Sequence, residues 1–337
     1  MGLVEVSPDG FLLIMNRKPA VVAPLAAIVG PTASGKSSLA LHLARQFHGE
    51  ILNCDSLQLY RNFDIGTAKP SPAEREGIPH HLLDILEPAE QFSAGEYARR
   101  AREVLAEVTG RGRLPLVVGG TGFYLRAFID GLFAGPARHP ELRERLRERE
   151  TRKGPGYVHR LLGRLDPVSA SHIHPHDVPK TIRAIEVCLL ARNRMSELHH
   201  QGRQALAGYA VLKLGLNPPR AELYERINHR TQALFDRGLV NEVCDLLAKG
   251  YAATAPPFQS HGYRQTLDYL LGKISLRDAV RYAQAATRQY AKRQTTWFRQ
   301  EPGIVWFSGF GSDPPIQAEI TRTLAEWLDG PEKFPQQ

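Results

Sequence analysis

Cysteine is scarce: the 337 residues hold three, Cys54, Cys188 and Cys244. They lie far apart and match no zinc-ligand or disulfide spacing, which excludes a disulfide-stapled scaffold and a cysteine metal centre. The expected compartment is the reducing cytoplasm. Long apolar runs are also missing, with no stretch approaching the roughly 18 consecutive apolar residues of a membrane span. The best N-terminal candidate, Phe11 to Met15, is too short for a signal-peptide core, and its basic residues Arg17 and Lys18 follow rather than precede it. No internal repeat or low-complexity tract breaks the chain. What is present is material for a core: 42% hydrophobic and 23% charged residues exclude a wholly disordered chain. The length fits two compact units or one large α/β domain carrying an insertion.

The balance of charge is basic, with 43 Lys and Arg against 35 Asp and Glu, a formal net charge of +8. Such a balance suits a polyanionic partner, although many basic enzymes bind only small phosphates. The excess is concentrated in two places. Arg138 to Arg203 holds 14 Lys and Arg against 8 Asp and Glu, and Arg281 to Arg299 holds Arg281, Arg288, Lys292, Arg293 and Arg299 with no acid.

Residues 1–20 show no period and are expected to form a flexible leader. Val21 to Val29, apolar and closed by Gly30, reads as a buried strand, and Ser38 to Phe47 as a helix. Strands at Ile51 to Cys54 and Leu114 to Val118 bracket a helix at Ser93 to Val108. This alternation predicts an α/β fold, a parallel sheet with helices on both faces. From Pro136 the composition shifts to a highly charged helix of alternating sign. Its plain reading is a solvated, salt-bridged face, and its sharper one a helical insertion that reaches a nucleic-acid backbone. After about residue 205 the α/β pattern returns: a strand at Val211 to Leu216, a helical pair over 219–249, a long helix from Ser275 to Trp297, a strand at Ile304 to Phe307 and a helix over 316–328. The expected division is a catalytic core of 21–135 with 205–330, interrupted by a helical insertion domain at 136–204.

Gly30-Pro31-Thr32-Ala33-Ser34-Gly35-Lys36-Ser37 fits the phosphate-loop pattern G-x-x-x-x-G-K-[ST], and it stands between a predicted strand and a predicted helix, as that motif requires. Its glycines let backbone N–H groups fold around phosphate oxygens, the helix N-terminus and Lys36 add positive charge, and Ser37 can offer its hydroxyl to a magnesium ion. A nucleoside triphosphatase adds an acid at the end of a neighbouring strand. Leu114 to Val118 ends instead in Gly119-Gly120-Thr121, while Ile51 to Cys54 ends in Asp55. At the carboxyl end of a parallel strand, Asp55 is placed to hold metal, as in a kinase, or to act as a general base. The pattern leaves both open.

Asp55-Ser-Leu-Gln-Leu-Tyr60, followed by Asp64-Ile-Gly-Thr-Ala-Lys-Pro70, resembles the tRNA dimethylallyltransferases (tRNA isopentenyltransferases). The resemblance takes in the phosphate loop, Val118-Gly-Gly-Thr-Gly122, Asp177 to Val187, Tyr224-Glu-Arg-Ile-Asn-His-Arg230, Gly262-Tyr-Arg-Gln265 and Lys292-Arg-Gln-Thr-Thr-Trp-Phe-Arg299, covering roughly 25–308. It implies a phosphate-loop NTPase-like core and transfer of a dimethylallyl group from dimethylallyl diphosphate to N6 of the adenosine 3′-adjacent to the tRNA anticodon. The products are the N6-dimethylallyl adenosine and diphosphate, and the reaction needs Mg2+. In that family the loop holds the prenyl diphosphate rather than ATP. The resemblance makes Asp55 the general base, sets Thr121 to hold the amine, and turns Arg230 on the leaving group. It places tRNA contacts at Asp55, Ser56, Leu57 and Gln58, at Thr121 and Arg143, and at Lys180 and Arg183. Further contacts fall at Gly262, Tyr263 and Arg264, and at Lys292, Arg293, Gln294, Trp297 and Arg299. Lys180 stands where the family usually has Arg, and Gln259 and His261 replace an often basic and an often apolar residue. The expected partners are the anticodon stem-loop of tRNA and dimethylallyl diphosphate, with no membrane and a monomeric protein.

Two enzyme rivals share the loop. A small-molecule kinase would leave the basic insertion without a role, and an adenylate isopentenyltransferase acting on free nucleotides would need neither the insertion nor the Lys292 to Arg299 contacts. An RNA-binding scaffold would have no use for intact Lys36, Ser37 and Asp55. His172, His174 and His176 alternate as metal ligands would on a strand, but Pro175 interrupts them, so they read as a polar loop. His80-His81 reads as a strand or loop edge near the core, and Cys54 as a small buried residue on a strand.

Overall fold

The computed structural model describes residues 22–133, 135–200 and 202–330; the expected leader at 1–20 lies outside them. Six strands, β1 (Ala23–Val29), β2 (Gly49–Asn53), β3 (His80–His81), β4 (Leu114–Val118), β5 (Tyr209–Leu216) and β6 (Ile304–Phe307), form one sheet. Their order is β3-β2-β4-β1-β5-β6, and every pairing is parallel. His80-His81 is thus the short edge strand, hydrogen-bonded beside Ile51 and Leu52.

Helices α1 (Lys36–Gln46), α2 (Ala94–Gly110) and α3 (Gly122–Ile129) follow β1, β3 and β4. Helix α2 starts where Ser93 and Glu96 cap each other's backbone N–H groups. Then come α4 (Pro140–Lys153), α5 (Tyr157–Leu165), α6 (Pro167–His172), α7 (Val178–Ala191) and α8 (Met195–His200) before β5. After β5, α9 (Arg220–Asp236), α10 (Leu239–Ala248), α11 (Tyr263–Leu270) and α12 (Leu276–Arg299) precede β6, and α13 (Pro314–Asp329) follows it.

Ala26, Ile28, Leu116 and Leu214 pack on Leu39 and Leu43 of α1 and on Ile320 and Leu324 of α13. Their sequence neighbours Leu25, Ala27 and Val117 point to the other face and are equally buried. Strands covered on both faces carry no polar alternation, which is why they read as unbroken apolar runs. Strands β2 and β4 lie on one side of β1, β5 and β6 on the other. The winding therefore reverses at β1, and a crevice opens beyond the carboxyl ends of the strands, the usual place for a ligand in such sheets.

Arg126–Leu206 forms a second compact unit. Its first residue lies inside α3, ten residues before the charge shift at Pro136, because a continuous helix carries the chain into it. Leu146, Val158, Leu162, Ile182 and Ile185 make its core. Leu146 is the one buried residue of α4. The alternating charges of that helix are a solvated face, and Glu150 caps the next helix by accepting from Gly156 N (2.6 Å) and Val158 N (2.8 Å). His172 ends α6, His174 and His176 follow it in a loop, and no cluster of three metal-ligating side chains is found among the described residues. No helix among them is long and apolar enough to cross a membrane.

Candidate active site

The loop after β1 has the backbone that its glycines anticipate. Gly30 (φ +142°) and Gly35 (φ +88°) adopt conformations that side chains rarely take, and a Cβ on Gly35 would meet Gly311 N and Ser312 N at 2.8 Å. Gly311 N in turn donates to Ser34 O (2.9 Å), bringing the segment after β6 against the loop. The Lys36 ammonium donates back to Gly30 O (3.0 Å) and Pro31 O (2.7 Å). Burial pulls Lys36 down to about 7, with Asp55 opposing the fall and Arg230 adding to it.

That depression carries a sign for ligand binding. Above pH 7 the free lysine is largely neutral, and an anion seated beside it restores the charge, so binding takes up a proton. Calorimetry with inorganic diphosphate at pH 8, in two buffers of different ionisation enthalpy, should give wild type close to one proton more uptake than Lys36→Arg, which is always charged. At pH 6 the difference should shrink to a small fraction. Equal uptake by the two proteins at pH 8 would refute a neutral Lys36.

Asp55 follows β2 and is fixed by its neighbours. Its backbone N–H donates to Asn53 Oδ1 (3.1 Å), and its Oδ1 accepts from Leu57 N (2.9 Å). No described group donates to Oδ2. The next strand supports the same turn: Ser56 N donates to Thr121 Oγ1 (3.1 Å), and Thr121 N to Cys54 O (3.2 Å). A Cβ on Gly119 would lie 2.0 Å from Cys54 O, so only glycine lets the two strand ends approach this closely. Cys54 is buried, and burial pushes its thiol up to about 12, so it is inert.

Asp55 and Leu57 share a cavity with Thr32 and Ala33 of the phosphate loop and with Gly66, Thr67 and Ala68. Helices close it: α9 supplies Ile227, Arg230, Thr231, Leu234 and Phe235, α10 supplies Leu239, and α12 supplies Thr287 and Tyr290, while His261 and Gly262 complete the wall. The cavity is thus lined by hydrocarbon together with an acid, an arginine and part of the phosphate loop. His261, the departure noted in the sequence, packs on Tyr290 with ring centroids 4.7 Å apart, and burial holds its imidazole below the ordinary value.

A family model described as IPP transferase matches residues 58–301. The tRNA dimethylallyltransferase of Solibacter usitatus (strain Ellin6076) is 57% identical over 305 residues, covering 90% of this chain and 99% of that protein. The chain belongs to the tRNA dimethylallyltransferase family. The family's protein from Koribacter versatilis (strain Ellin345) is also 57% identical, over 88% of this chain and 96% of its own. Among solved structures, the full-length tRNA isopentenylpyrophosphate transferase of Bacillus halodurans superposes with a TM-score of 0.68 at 36% identity, covering 92% of this chain and 98% of its own. A eukaryotic dimethylallyltransferase acting on tRNA superposes with a TM-score of 0.74 at 25% identity, over 94% and 81%.

Several of the residues expected to contact tRNA are buried. Gln294 is 5% exposed, and its side chain accepts from Thr32 N (2.8 Å) and donates to Gly120 O (3.0 Å). It ties the phosphate loop to the turn after β4, and a Cβ on Gly120 would meet its Nε2 at 2.0 Å. Tyr263 is fully buried against Phe63, with centroids 5.0 Å apart, and its hydroxyl donates to Glu242. Gly262 is buried at the start of α11 with φ +91°. These three support the site from within. Arg143 and Arg183 both ion-pair with Glu186 (2.6 Å each) inside the second unit. Lys180, Arg264, Lys292, Arg293 and Arg299 are exposed, and Trp297 is half-buried.

Neither Glu242 nor, in particular, Lys69 was assigned a role from sequence, yet they hold the segment that lines the cavity. Glu242 accepts from the successive backbone N–H groups of Asp64 (3.0 Å), Ile65 (2.6 Å) and Gly66 (3.3 Å). Lys69, its side chain 3% exposed, donates to Tyr60 O (2.7 Å) and ion-pairs with Asp64 (2.7 Å) and Asp84 (2.6 Å). The segment then offers Thr67 O (3.2 Å) and Ala68 O (3.3 Å) to Gln58 Nε2, leaving Gln58 Oε1 without a partner among the described residues. The one signal for Lys69 was its place in the Asp64 to Pro70 motif.

Proposed function

We propose that this chain transfers a dimethylallyl group from dimethylallyl diphosphate to N6 of the adenosine 3′-adjacent to the anticodon of tRNA, releasing diphosphate. The carrying observation is the single cavity that the phosphate loop, Asp55 and Arg230 line together with the apolar side chains of Ile227, Leu234, Phe235 and Leu239. That combination suits a branched hydrocarbon esterified to a diphosphate. Strand β4 ends in two glycines and Thr121, with no carboxylate to position a hydrolytic water. The protein works as a monomer in the cytoplasm.

Departure of diphosphate from the allylic carbon leaves negative charge on phosphate oxygens, which the loop amides, Lys36 and Arg230 stabilise. An adenine N6 amine is too weak an acid to be stripped beforehand by a carboxylate. Asp55 accepts the N6 proton at Oδ2 as the carbon–nitrogen bond forms. Thr121 steadies the amine, and Gln58 Oε1 is available to the flipped base. Flipping costs on the order of a few kcal/mol. The donor set suits magnesium held chiefly by its substrate: Ser37 is exposed, and its hydroxyl makes no hydrogen bond among the described residues. When bound, Mg2+ would neutralise charge on the leaving diphosphate.

The test offers labelled dimethylallyl diphosphate and magnesium to the protein with either unmodified tRNA or free AMP, ADP and ATP. Label should enter tRNA alone. Label confined to free nucleotide would move the acceptor to the adenylate class, and ATP consumption without transfer would make the protein a kinase.

A further inference from the structure

Phe123 is a large apolar side chain left 47% exposed, two residues after Thr121. It meets Trp297 edge to face, with centroids 6.2 Å apart and planes at 78°. The indole is itself pressed on the start of α3, since a Cβ on Gly122 would lie 2.1 Å from Trp297 Cδ1. The pair is therefore rigid on its inner side and open on its outer one. Exposed Arg293 precedes Trp297 by one helical turn on the same side of α12, and exposed Lys292 and Arg299 lie farther around it. No acid occurs between Arg281 and Arg299.

Resting on the tRNA reading above, we propose that Phe123, braced by Trp297, is a stacking platform for an unpaired RNA base next to the reacting adenosine. An aromatic face beside fixed positive charge is how proteins hold single-stranded nucleic acid, the cations following the backbone and the ring taking any base. The position fits, because Thr121, which contacts the Asp55 turn through Ser56, and Gly122, which seats Trp297, are consecutive residues. A base on Phe123 would hold the strand from which its neighbour has been extruded. The contact reads no sequence, because every base has a π-face.

The test uses the full-length protein and an unmodified anticodon stem-loop carrying 2-aminopurine at the unpaired positions flanking the reacting adenosine. Phe123→Ala should weaken stem-loop binding about 5- to 150-fold, the loss expected for one stacked base. It should also abolish quenching at one flanking position. The KM for dimethylallyl diphosphate should stay within about twofold, and the melting temperature should not move, because the ring is exposed. Phe123→Tyr should restore binding and quenching. Phe123→Leu, apolar but unable to stack, should not. Wild-type binding by Phe123→Ala, or by Phe123→Leu, overturns the platform while leaving the transferase reading intact if wild type still prenylates the stem-loop. A wild type that neither binds nor prenylates it overturns both.

Discussion

Asp55→Asn should slow prenyl transfer under single-turnover conditions by about 10²- to 10⁴-fold, the range for loss of a positioned general base. The substitution keeps the shape and keeps an oxygen to accept from Leu57 N, so the turn after β2 should persist. What it removes is the capacity of Oδ2 to take a proton. A second consequence separates this role from mere disruption. Asp55 opposes the burial that depresses Lys36. Without it Lys36 titrates below its present value of about 7, and at neutral pH the loop loses part of its charge. The KM for dimethylallyl diphosphate should therefore rise at pH 7.5 and recover toward wild type at pH 6, whereas the rate of the chemical step should recover at neither. A loss of less than tenfold in that rate would remove Asp55 from the proton transfer.

Glu186→Gln should cost the second unit about 3 kcal/mol, near the lower end of what breaking a buried ion pair costs. The Glu186 side chain is fully buried and accepts from Arg143 Nε (2.8 Å) and Nη2 (2.6 Å), Arg183 Nη1 (2.6 Å) and His139 N (2.7 Å). Burial alone would raise its pKa, but the donors from Arg143, His139 and Arg183 outweigh it and bring it to about 2. Its folded value is depressed, so the stabilisation is complete above the ordinary value of 4.5 and fades as the pH falls toward 2. The isosteric amide leaves Arg143, its side chain 18% exposed, facing a neutral group that cannot repay its desolvation. Hydrogen exchange should show it: amides of α4 and α7 should open on the order of 10²-fold more often at pH 7, with the α1 amides unchanged. A change of less than threefold would mean that water, not Glu186, satisfies the two arginines.

Strands β1 and β4 were legible because they are apolar and closed by glycine, a signal that is local. Strands β4 and β6 fall at the expected residues, and β1 starts at Ala23, where its pairing with β5 begins. The phosphate loop and Asp55 were legible for the same reason, each being a short motif beside a strand end. Glu242 was not, because its backbone partners at 64–66 are more than 170 residues away and no period joins them. The burial of Gln294 was readable from its spacing. The residue shares the spacing of Ala291 and Phe298, the buried stripe of α12, whereas the family resemblance counted it among the tRNA contacts.

That stretch of α12 changes function from one residue to the next. Lys292 and Arg293 look outward, and Gln294 looks inward to span the phosphate loop and the turn after β4. Each step along the helix turns the side chain by about 100°. One residue gained between Ser275 and Ala291 would swing Arg293 into the gap that Gln294 bridges, and one residue lost would bring Thr295 there, too short to span it. Over evolutionary time the helix is therefore held to a fixed length. Insertions and deletions should accumulate instead in the turns on either side of it.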